Sequence, residues 1–331
     1  MRSAWISRSV ALLWSATTLA AAGTLASAQQ PAPAPVAANV AAAPGEFAPG
    51  VLTTIPPSVD REDVITIHDI PEIRSDVSLK WEPSSTTKSR TLFEMGKDAV
   101  FVNDIWCLEF AFKPLRMIEV DVPQPTGRVQ RKLVWYMVYR VRNTGAGLTG
   151  VVKDDGTFET VAKATDEVRF LPELVLVSND RSGGERVRKA YLDRIVPAAL
   201  APIQQRELPR GVLLNSADIP LQQLKVEAGR TQEGVWGVAM WEDDEPQIDF
   251  FSIYVRGLSN GVEWTDPPGA FKAGNPPGTG RKFTYKTLQL NFWRPGDDIG
   301  ENEREVRFGP APERGAFYDS GEGVAYRWIY R

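Results

Sequence analysis

Few residues in this 331-residue chain are available for catalysis or metal binding. His68 is its one histidine and Cys107 its one cysteine. Structural zinc sites need four Cys or His ligands. A Ser-His-Asp triad would have to use His68, which follows the apolar run Val64 to Ile67 and precedes Asp69. Only Asp69 is placed to steer it, and no partner nucleophile can be named, so His68 reads as a strand-end histidine. No phosphate-binding loop or complete G-x-G-x-x-G occurs. Asp319-Ser320-Gly321-Glu322-Gly323 has Tyr318 where a nucleophile elbow requires glycine. Cys107, within Ile105-Trp106-Cys107-Leu108, reads as a small apolar core residue.

Carboxylates and aromatic rings remain. Glu242, Asp243, Asp244 and Glu245 follow one another directly, and Asp297 to Glu303 forms a second acidic stretch. Oxygen-rich turns of this kind can hold Ca²⁺, although neither has EF-hand spacing. Glu242, Asp243, Asp244 and Glu245 are therefore the candidate metal ligands, with Ca²⁺ as the one cofactor considered. Paired carboxylates would also serve glycoside hydrolysis if they stood about 5–10 Å apart, a distance that sequence does not fix. Trp135, Trp236 and Trp293 lie inside apolar strand patterns and read as core. Trp241, beside the acidic turn, and Trp264, beside a Gly/Pro-rich loop, are the candidate ligand-binding rings.

The elements that must position these residues are mostly strands. In Val134-Trp135-Tyr136-Met137-Val138-Tyr139-Arg140-Val141-Arg142-Asn143-Thr144-Gly145, a period of two puts Trp135, Met137, Tyr139 and Val141 on one face. The run from Phe250 to Gly261 repeats the device: Tyr254-Val255-Arg256, then Asn260 and Gly261. Further strands are expected at Leu108–Phe112, Leu115–Val122, Phe158–Ala162, Leu174–Val177, Leu221–Val226, Val235–Trp241, Ile248–Val255, Phe283–Trp293, Glu303–Phe308 and Val324–Tyr330. Tyr191, Leu192, Ile195, Val196, Ala199, Leu200 and Ile203 have helical spacing, interrupted by Pro197 and Pro202. Many short strands and little helix give a mainly β class: two immunoglobulin-like β-sandwich halves joined by a short helical segment. An outer-membrane barrel is the alternative, but its strands would be longer and more regular.

The domain reading runs from a signal peptide at 1–28 through a Pro/Ala-rich linker at 29–57. A first sandwich at 58–180, a helical connection at 187–206 and a second sandwich at 217–331 follow. The leader has Arg2 and Arg8, an apolar stretch from Val10 to Ala22 and the small-x-small site Ala26-Ser27-Ala28, so export is expected. No later segment is long and apolar enough to span a membrane as a helix. With a net charge of -4, a basic surface for nucleic acid is not expected. The expected function is a non-catalytic envelope or extracellular protein, structural or protein-binding. Its alternative is a carbohydrate-binding module, with or without Ca²⁺, and a hydrolase ranks third.

Overall fold

The structure is a computed structural model that describes residues 51–66, 101–154, 157–182, 185–226, 234–242, 248–270, 272, 275–276, 278–295, 305–318 and 323–331. These belong to one compact unit, Ala42–Arg331. The strands of its two large sheets are, in chain order, β1 (Thr53–Ile55), β2 (Glu109–Phe112), β3 (Arg116–Pro123), β4 (Val129–Arg142), β5 (Glu173–Ser178), β6 (Ala190–Leu192), β7 (Val235–Glu242), β8 (Phe250–Arg256), β9 (Val262–Thr265), β10 (Lys282–Trp293), β11 (Arg307–Phe308) and β12 (Tyr326–Tyr330). A five-stranded sheet runs β1-β2-β4-β7, with β3 also on β4. A seven-stranded sheet runs β6-β5-β8-β10-β9, with β11 and β12 also on β10. All these pairings are antiparallel.

The chain is mainly β, as expected, but the pairing crosses the boundary drawn from sequence. β7, from the expected second half, pairs with β4 from Val235↔Val141 to Glu242↔Val134. β5, from the first half, pairs with β8 from Glu173↔Arg256 to Ser178↔Phe251. One apolar cluster unites Phe110, Phe112, Trp135, Met137, Tyr139 and Val141 of the first sheet with Leu174, Phe251, Ile253, Leu288, Leu290 and Phe292 of the second. Aromatic rings cross the gap between sheets: Trp135 meets Phe251 edge-on at 5.5 Å, and Phe112 meets Phe292 at 5.9 Å. The two similar sequence stretches are thus strands of different sheets that touch through this contact.

β4 is buried on both faces. Val134, Tyr136 and Val138 pack with Val196, Ala199 and Ile203 in a second cluster. The latter two residues belong to a helix, Pro197–Glu207, shorter than the expected 187–206. Pro197 starts it, because proline has no N–H to leave unpaired and its fixed φ suits the first turn. Pro202 is accommodated inside. Tyr191 and Leu192, counted in the helical pattern, instead pair with Leu176 and Val175 as β6. The expected strand at Leu221–Val226 is a 3-10 turn, Ile219–Leu221, followed by a two-residue strand, Leu224–Lys225. Among the described residues, no helix is long and apolar enough to cross a membrane.

Strand ends are tied by side-chain amides. Asn143 accepts the Gly145 N–H at 2.9 Å and donates to the carbonyls of Thr165 and Leu224. Asn260 accepts from the Trp106 N–H and donates to the Asp104 carbonyl. At Gly257, φ is 95° and an added Cβ would stand 2.0 Å from the Leu171 carbonyl oxygen, so only glycine fits.

Phe292 touches Phe112, Phe251 and Phe308. Phe292→Ala is expected to cost about 3–5 kcal/mol in urea unfolding, the usual range for a buried phenylalanine.

Candidate functional site

Trp241, the last residue but one of β7, lies on the inner face of its sheet, opposite Trp135, and is 2% exposed. Its ring has no free face for a sugar. With Trp135, Leu176, Tyr191, Glu242 and Ile248 it lines a cavity of about 10 Å³, room for about one water molecule. The buried Trp241 indole N–H has no hydrogen-bond partner among the described residues. Glu242 is held by Lys132 at 2.7 Å and Arg194 at 3.7 Å. Asp243, Asp244 and Glu245 lie outside the described residues, as do His68, Asp69 and the acidic stretch from Asp297 to Glu303. Cys107 is buried, and loss of solvation pushes its thiol up to about 12. It is a thiol, not a thiolate, at neutral pH.

Trp264 lies in the other large sheet, on β9 opposite Phe283 of β10. Its half-buried ring is 6.5 Å from the Phe283 ring. The Arg281 guanidinium sits over it at 5.4 Å, held by two hydrogen bonds to Asp266. Alternation puts Phe283 and Tyr285 on the outer face of this sheet, where they are 53% and 38% exposed. Arg256 covers the Tyr285 ring at 4.2 Å, and Arg331 covers Tyr254 at 4.0 Å.

Three buried polar clusters were not foreseen from the sequence. In the first, Lys286 of β10, 3% exposed, donates to Asp60 at 2.8 Å and to Asp63, while Tyr330 donates to the other oxygen of Asp63. Desolvation opposes the charge on Lys286, but the two carboxylates outweigh it and raise its pKa. In the second, Glu207 at the end of the helix accepts from Lys113, from Arg116 at 3.1 Å and from the Tyr136 hydroxyl at 2.8 Å. Desolvation would raise the Glu207 pKa, but these donors overcome it and lower it. For Lys113, desolvation outweighs the pull of Glu207 and, with repulsion from Arg116 and Arg206, lowers its pKa. The sequence did hold a sign of the first cluster. Lys286 shares a strand face with Leu288, Leu290 and Phe292, an inward position that requires a partner.

The third cluster is the most enzyme-like in composition. Asp193 accepts the Met240 N–H at 2.8 Å and is paired with the Ser216 hydroxyl. The buried Tyr139 phenol is beside it, its pKa raised chiefly by desolvation. Burial also raises Asp193, to about 6, despite its hydrogen bonds. Chemically this is a carboxyl able to hold or release a proton near neutrality. Structurally, it supplies the acceptor that a neighbouring strand would otherwise give to β7.

Because Asp193 is raised by folding, the native state binds its proton more tightly than the unfolded chain does. The associated stability is present below about pH 4 and is lost as pH rises through about 6, at most about 3 kcal/mol. The difference between wild-type and Asp193→Asn unfolding free energies, measured from pH 4 to 7.5, is expected to show this loss in the wild type alone. Lys286→Met, which leaves Asp63 buried without its cation, is expected to cost about 3–5 kcal/mol by urea unfolding.

No family model, curated protein or solved structure matches this chain.

Proposed function

We propose that this is an exported, non-catalytic β-sandwich protein that acts by binding a protein or polysaccharide of the cell envelope or extracellular space. The observation that carries the reading is the use made of its buried charges. Lys286, Asp63 and Tyr330 satisfy one another, as do Glu207, Lys113, Arg116 and Tyr136. These groups are committed to ties between distant segments, whereas Phe283 and Tyr285 stand exposed on an outer sheet face. Exposed aromatic area rimmed by charge is the usual mark of a contact surface. The leader-like N-terminus supports export.

The carbohydrate alternative is favoured by Trp264, half-buried and next to the exposed Phe283. Trp241 does not add to it, being enclosed.

The chain from Gln29 onward is expected to be retained stoichiometrically by its partner in a panel of envelope polysaccharides and proteins, with no product released. Turnover of any of them, abolished by Asp193→Asn in a variant that still folds, would overturn the non-catalytic reading.

A further inference from the structure

The outer face of the seven-stranded sheet joins ring and cation in a repeating way. β10 contributes Phe283 and Tyr285, β9 contributes Trp264, and β8 contributes Tyr254 and Arg256, all on one side of the sheet by strand alternation and register. Arg331, which exchanges backbone hydrogen bonds with Tyr285, lies over the Tyr254 ring. Arg327 donates to Gln289 from the same side. Arg281 reaches the Trp264 ring from the loop before β10. Arg256, Arg281, Arg327 and Arg331 thus gather on this face, where Arg256 pairs with Glu173 at 3.1 Å and Arg281 with Asp266. Among the described residues this is a local excess of positive charge on an aromatic surface, in a chain whose net charge is -4.

We propose that this face docks an acidic polysaccharide, a polymer of sugar rings bearing carboxylates or sulfates. The inference rests on the binding reading above and names its ligand class. An outer sheet face presents its side chains in rows along and across the strands. It offers an extended polymer a row of rings, about 7 Å apart along β10 and about 5 Å apart across the β9–β10 pair. An apolar sugar face can lie on the exposed Phe283 ring, flanked by Tyr285 and Trp264 with Arg256 and Arg281 over them. The Arg256 and Arg331 guanidiniums, each held over a tyrosine ring, can bind acidic groups through paired N–H donors. The Arg256–Glu173 pair is exposed on both sides and gives way at little cost.

Polygalacturonate, a neutral β-glucan and polyglutamate serve as probes for the chain from Gln29 onward. Retention on polygalacturonate is expected, weakening steeply with salt, with little on the glucan or polyglutamate. Phe283→Ala/Tyr285→Ala is expected to weaken it about tenfold. Arg256→Gln/Arg331→Gln is expected to weaken it and flatten its salt dependence, with the melting temperature of both variants near wild type. If a variant melts much lower, Phe283→Leu and Arg256→Lys provide gentler tests of the same two contributions, and unchanged retention in both counts against the proposal. Equal retention on the glucan, tighter binding to polyglutamate, or no retention on polygalacturonate would overturn it. Failure here alongside capture of a protein from the panel leaves the binding reading standing, whereas release of cleaved sugar removes the non-catalytic reading and spares the surface.

Discussion

Everything else in the fold follows from the need to bury both faces of one strand. β4 presents Trp135, Met137, Tyr139 and Val141 on one side and Val134, Tyr136 and Val138 on the other. The first side requires a second sheet, supplied chiefly by β8 and β10. The other requires a cover that one sheet cannot give, and the helix Pro197–Glu207 provides it. That cover creates its own demand. The Tyr136 hydroxyl is carried beneath the helix and needs an acceptor, because a buried hydroxyl without one is costly. Glu207 supplies it, and Lys113 and Arg116 then balance the carboxylate.

The buried charges are consequences of packing more than sources of stability. An ion pair withdrawn from water recovers little net free energy, but removing one member is expensive. Such pairs act chiefly by excluding alternatives. Lys286 cannot enter the interior unless Asp60 and Asp63 arrive with it, which fixes how the N-terminal segment lies on β10. Asp193 does something similar at the border of the other sheet. By accepting the Met240 N–H, it occupies a position where a strand from another molecule could otherwise pair.

Local patterns were legible in the sequence and long-range ones were not. The period-two faces of β4 were readable because alternation is a property of neighbours. β2, β5, β7 and β8 lie within about two residues of their expected limits. Tyr191 and Leu192 were misassigned because they fall at helical spacing with Ile195 and Ala199, while what holds them is a pairing partner in β5. The division into halves failed to foresee β4–β7 and β5–β8 for the same reason: which strands pair is decided by shapes brought together from far apart. Trp241 looked exposed because an acidic turn follows it, yet its strand position already placed it on the inner face with Ala239. Trp264 was distinguished by its loop, and its partners Arg281 and Phe283 come from beyond that loop.

The tie between Asp63 and Lys286 spans 223 residues, and Tyr330 closes on the same carboxylate from 267 residues away. The segment that carries Asp60 and Asp63 therefore has no final resting place until nearly all of the chain is present. Such distant closures make for slow assembly. A polypeptide emerging N-terminus first would hold its early strands open, with apolar rows uncovered, until β10 and β12 arrived. For this topology, being threaded across a barrier unfolded and folding only afterwards would interrupt nothing that could have been completed sooner.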